Sequence, residues 1–143
     1  MEARETLRVP GSSEGIRLAA AGLDSFWRSH GLPEGGGWPF QVALDEAMSN
    51  IVHHGLSGRA GESEIEVEFR LVGSDVEIVL ADDAPPFNPL ELAEPDTRQD
   101  LDDRPVGGLG VALVRKLMDV VEYERREGRN HLRLRRKPLQ VED

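Results

Sequence analysis

The chain has 143 residues, with 17 basic against 27 acidic side chains, a formal charge of −10 and no cysteine. One domain with a real core is the expectation at this length, and the missing thiols exclude disulfides, thiolate metal sites and cysteine nucleophiles. Acidity disfavours nucleic acid and anionic membrane at long range, so any bound phosphate needs a local device.

No apolar run approaches the ~20 residues of a membrane span, and MEARETLRV has no signal-peptide core. A cytoplasmic protein is therefore expected.

In chain order, Thr6 to Val9 reads as a short strand closed by Pro10-Gly11. Ser12 or Ser13 then offers an N-cap, and Ile16, Ala19, Ala20, Leu23, Phe26 and Trp27 recur at helical spacing up to His30-Gly31. Gly31 to Gly37 is a loop, and Trp38-Pro39-Phe40 leads into a second helix with proline near its first turn.

That helix, expected over Gln41 to Gly55, is the stretch with most chemistry. At ~100° per residue, Phe40, Leu44, Ala47 and Ile51 form an apolar arc, with Glu46 and Asn50 together along one edge. A half-buried glutamate is costly unless an ion or hydrogen bond meets it, and asparagine one turn away supplies an oxygen ligand as well as donors. His54 continues the edge. The pair suits a hydrated cation beside a group that gives up a proton; an amphipathic helix with solvated polar flanks fits the same spacing.

Glu64 to Leu71 alternates strictly between charged and apolar residues, and Val76, Ile78 and Leu80 repeat the pattern after a Gly73-Ser74-Asp75 turn. Two antiparallel strands with one wet and one covered face follow. The second runs into Ala81-Asp82-Asp83-Ala84-Pro85-Pro86-Phe87-Asn88-Pro89. A carboxylate at such a strand end can accept a hydrogen bond from an exocyclic amine, or the segment is a Pro-rich turn with solvated aspartates.

Leu90 to Pro105 is polar and acidic, with proline at 95 and 105, and a structureless stretch this long is often a lid or binding loop. It ends at Val106-Gly107-Gly108-Leu109-Gly110, before Val111, Val114, Leu117 and Met118 at helical spacing. A glycine-rich turn opening a helix lets backbone N–H groups approach phosphate. It is neither a Walker loop nor a Rossmann fingerprint, because no Gly-Lys-Ser/Thr follows and the turn does not follow a strand.

Strands around Val120 to Arg125 and Asn130 to Arg136, joined at Glu127-Gly128, complete the domain, taken as residues 1–143. Arg125, Arg126, Arg129, Arg133, Arg135, Arg136 and Lys137 gather positive charge late in an acidic chain. They read as a charged edge strand that discourages pairing or as a docking face for an acidic partner.

Helix with Glu-x-x-x-Asn, strand ending in Asp-x-Ala-x-Pro-Phe, lid, then Gly-x-Gly helix: in this order the sequence resembles the ATP-binding domain of the GHKL superfamily. More narrowly, it resembles the bacterial anti-sigma factor serine/threonine kinases. The resemblance implies the Bergerat fold, a two-layer α/β (α+β) sandwich with three helices on one face of a mixed, mainly antiparallel sheet.

It further implies that Asn50 holds the Mg²⁺ bridging the ATP phosphates, that Glu46 is the general base, and that Asp82 binds the adenine amine. Gly108, Leu109 and Gly110 would close over the phosphates, while His54, Gly55 and Phe87 match the ends of the first two motifs. The partners implied are a STAS-type anti-anti-sigma protein and a sigma factor, with a homodimer as the usual state.

Ala84 departs from the family, which usually has glycine there. If the position requires positive φ, alanine costs on the order of 1 kcal/mol, and a non-catalytic regulatory module with weak or no nucleotide binding becomes the alternative. A histidine-kinase catalytic domain fits poorly, because only residues 1–40 precede the central helix.

Overall fold

The structure is a computed structural model that describes residues 3–56, 63–91 and 108–140. Five strands, β1 (Arg4–Pro10), β2 (Glu64–Val72), β3 (Asp75–Asp82), β4 (Val120–Arg126) and β5 (Arg129–Arg136), form one sheet. Three helices, α1 (Ser13–Ser29), α2 (Trp38–Asn50) and α3 (Gly108–Leu117), complete the fold.

The strand order is β1-β2-β3-β5-β4, and all four pairings are antiparallel. The expected mixed pairing is absent among the described residues, and the topology gives the reason. The segment through α3 joins β3 to a strand that runs the same way, as a crossover should, but β5 folds back between them. β3 and β4 are parallel in direction without being neighbours.

Alternation along the strands sorts apolar side chains to one face. Val9, Ile65, Val67, Phe69, Ile78, Leu80, Leu132 and Leu134 are buried there against Leu23 and Phe26 of α1 and Phe40, Leu44 and Met48 of α2. Each large side chain so buried is worth ~1.5–3 kcal/mol. The helices therefore cover this face, as expected.

The opposite face is charged and bare of helices. Glu77 is only 1% exposed although it lies on that face, because Arg70, Arg133 and Arg135 close over it. Arg129 pairs with Glu66 and Arg126 with Glu124. The Arg-rich strand is thus not an edge: β5 lies between β3 and β4, and its cations neutralise carboxylates on neighbouring strands. The outer position belongs to β4. No described helix is long and apolar enough to cross a membrane.

Candidate active site

Pro39 opens α2 near its first turn. Glu46 emerges half-buried and Asn50, the last α-helical residue, is buried. The Asn50 carboxamide thus stands one helical turn beyond Glu46 on the same edge of α2.

The helix predicted to run to Gly55 changes character after Asn50. Ile51–Gly55 is a π-helical turn, closed by the Leu56 N–H donating to the Ile51 carbonyl at 2.8 Å. Such wide turns recur at functional sites, and here the turn re-aims His54. Its imidazole stacks with Phe87, ring centroids 6.4 Å apart and planes 22° apart. A Cβ on Gly55 would lie 2.8 Å from Phe87 Cδ2, so glycine makes the notch in which the phenyl ring sits. The stack joins the ends of the first two motifs.

Glu46 meets the third motif directly. A Cβ at Gly110 would collide with Glu46 Oε2, so the glycine admits the carboxylate against the first turn of α3. Burial, with a lesser contribution from the Asp45 charge, pushes the Glu46 pKa upward. Gly108 and Leu109 begin α3. The turn at Val106-Gly107 and the stretch 92–105, which holds most of the expected lid, lie outside the described residues.

Asp82 ends β3 and is 4% exposed. Its Oδ1 accepts from the Ala84 N–H at 3.0 Å, a local Asx-type turn, and from Asn130 Nδ2 at 2.9 Å. Oδ2 has no donor among the described residues. The conditional penalty at Ala84 does not arise: Glu127 is the one described non-glycine residue with positive φ, and the Ala84 methyl is wholly buried in the core.

Asn130, Arg125 and Tyr123 hold this turn, a role sequence reasoning gave to none of them, Arg125 being placed only in the late basic cluster. Asn130 faces Asp82 across the β3–β5 ladder and Arg125 across the β4–β5 ladder, with Tyr123 two residues before Arg125. Asn130 shares its strand parity with Leu132 and Leu134, so a polar residue on the covered face was the available signal. Ile51, Asp82, Phe87 and Asn130 line one small cavity, which brings the end of α2 beside the turn after β3. The bare sheet face carries a separate cavity of about 640 Å³ lined by paired charges, among them Arg4, Glu68, Arg70 and Glu122; no motif residue reaches it.

A helix carrying Glu and Asn, a carboxylate at a buried strand end and a glycine-started helix thus lie on the covered side of one antiparallel sheet. The chain belongs to the histidine kinase-like ATPase domain family, which it matches over residues 9–136. Among relatives, it is 34% identical over 93 residues to the serine/threonine-protein kinase BtrW of Bordetella bronchiseptica, covering 65% of each chain. It is 27% identical over 132 residues to the serine-protein kinase RsbW of Listeria monocytogenes, covering 90% of this chain and 83% of that protein.

Part of a solved chain holding the RsbU and RsbW domains of Rv1364c from Mycobacterium tuberculosis shares the fold, with a TM-score of 0.65 at 15% identity over 95% of this chain. This chain spans 32% of that larger one.

Proposed function

We propose that the protein is an ATP-dependent serine/threonine kinase of the anti-sigma type, acting in the cytoplasm on a STAS-type anti-anti-sigma protein. The observation that carries the reading is the seating of the Glu46 carboxylate against Gly110 at the start of α3, one helical turn from the Asn50 carboxamide. The names of BtrW and RsbW as serine or serine/threonine kinases support it.

ATP would lie with its adenine amine at Asp82 Oδ2 and its phosphates at the N-terminus of α3, where free backbone N–H groups of Gly108, Leu109 and Gly110 and the helix dipole favour anions. His54 and Phe87 then shape the wall between base and phosphates. Asn50 suits Mg²⁺, which keeps several waters and takes few protein ligands; among the described residues no cluster of three His, Cys, Asp or Glu is arranged to ligate a metal. When bound, the ion neutralises phosphate charge.

Glu46 takes the proton of the acceptor hydroxyl as its oxygen bonds to the γ-phosphorus and the bond to the β-phosphate oxygen breaks, releasing ADP. Burial first, then the Asp45 charge, raises the Glu46 pKa, and a carboxylate of higher pKa is a stronger base when ionised.

Phosphorylation would decide whether the kinase, as a homodimer, holds the STAS protein or a sigma factor. The binding-module alternative loses its motive, because Ala84 adopts negative φ. Incubation with γ-labelled ATP, Mg²⁺ and a STAS partner tests the reading. Label on the partner, abolished by Glu46→Gln, is expected; tight partner binding with no transfer would overturn it.

A further inference from the structure

The register aligns three polar side chains on the helix-covered face: Asp82 opposite Asn130, and Asn130 opposite Arg125. Asn130 is 5% exposed, and its carboxamide is fully used. Nδ2 donates to Asp82 Oδ1 at 2.9 Å, the Pro85 carbonyl at 3.1 Å and the Ala84 carbonyl at 3.3 Å. Oδ1 accepts the Phe87 N–H at 3.1 Å and the Tyr123 hydroxyl. A flipped amide would set its oxygen against two carbonyls and a carboxylate, so one orientation is possible. Arg125 Nη1 donates to the Ala84 carbonyl at 2.7 Å.

We propose that Asn130, Arg125 and Tyr123 are positioning residues that clamp the 82–87 turn and aim the Asp82 carboxylate at the base. The prolines at 85 and 86 restrict the turn from within, and two donors on the Ala84 carbonyl fix it from outside, one of them charged and therefore strong. Because Asn130 occupies Oδ1, the acceptor offered to a ligand is Oδ2, and its direction is set by the amide. Specificity for a base with an exocyclic amine thus depends on residues that act through the Asp82 carboxylate. Removing them loosens the aim of Asp82 without removing the carboxylate.

This inference rests on the kinase reading, in particular on adenine at Asp82. Calorimetric titration of the intact chain with ADP and with inosine diphosphate, which lacks the amine, separates the two. The unaltered protein is expected to prefer ADP at least tenfold. Asn130→Ala and Arg125→Met should each reduce that preference at least threefold while changing affinity for inosine diphosphate less than twofold, and Arg125→Lys should restore it. Arg125 is on the exposed outer strand, so its variants report even if Asn130→Ala does not fold.

A merely structural loss would weaken both ligands alike. An unchanged preference in folded Arg125→Met would overturn the clamp and leave the site assignment standing. Failure of the unaltered protein to bind ADP, or to distinguish it from inosine diphosphate, would overturn both.

Discussion

Glu46 sits half-buried on α2 with Asp45 beside it, and burial first, then that neighbour, hold its pKa above the ordinary 4.5. If Glu46 is the base, as proposed, it must be ionised, so phosphoryl transfer is expected to fall as pH drops through this raised value, with an acid limb above that of an unperturbed glutamate. Asp45→Asn removes the smaller cause and should move the limb to lower pH, as read from rate–pH profiles.

Linkage has a definite sign here. A folded pKa above the unfolded one favours the folded state in acid, and that advantage is lost as pH rises through the folded pKa. The carboxylate is therefore no source of stability at pH 7. Glu46→Gln should abolish transfer while thermal melting stays unchanged or rises.

Ala84 makes the opposite case, a residue whose departure from pattern costs nothing. Ala84→Gly removes a buried methyl and adds unfolded-state freedom, each a destabilising change. Urea denaturation should show a loss of about 1 kcal/mol, with no tighter nucleotide binding.

Among elements, β3 carries the most consequential charge. Glu77 is buried beneath Arg70, Arg133 and Arg135, whereas Glu122 on the outer strand pairs with Arg133 in solvent. Breaking a buried ion cluster by deleting one partner costs about 3–5 kcal/mol, while an exposed pair is worth about 0–1 kcal/mol. Urea denaturation is expected to separate Glu77→Ala from Glu122→Ala by at least about 2 kcal/mol on those grounds.

The same strands show what was legible beforehand. Strict alternation in β2 and β3 and helical spacing in α1 gave type and covered face, since both follow from local period. The placement of β5 inside the sheet did not follow, because pairing order depends on contacts far apart in the chain. At the candidate site, Glu46 and Asn50 stood out by spacing, Asp82 by its place at a strand end and Gly110 by the glycine-rich turn before a helix. The π-helical turn that sends His54 to Phe87, and the clamp from Asn130 and Arg125, were hidden: each depends on a partner strand or turn more than thirty residues away.

At the scale of the whole molecule, a formal charge of −10 opposes compaction through self-repulsion, and salt is expected to raise the melting temperature at pH 7. Glu77 and its arginines resist that screening because they are buried. Nucleotide should add its own stabilisation, about 2.7 kcal/mol at a hundredfold excess over Kd. At about 2–4 °C per kcal/mol for a chain of this size, the melting temperature should rise by roughly 5–10 °C with ADP and Mg²⁺, as scanning calorimetry would show.

The strand between β3 and β4 bears also on how the protein comes into being. A ribosome delivers residues 129–136 after every other strand and helix, yet their place is inside the sheet and Asn130 must reach Asp82 to hold the turn. A nascent polypeptide stalled or clipped before that hairpin has the glutamate and asparagine of α2 but no ordered seat for the base. On the proposed reading, competence to engage nucleotide is withheld until residues 129–136 have joined the sheet.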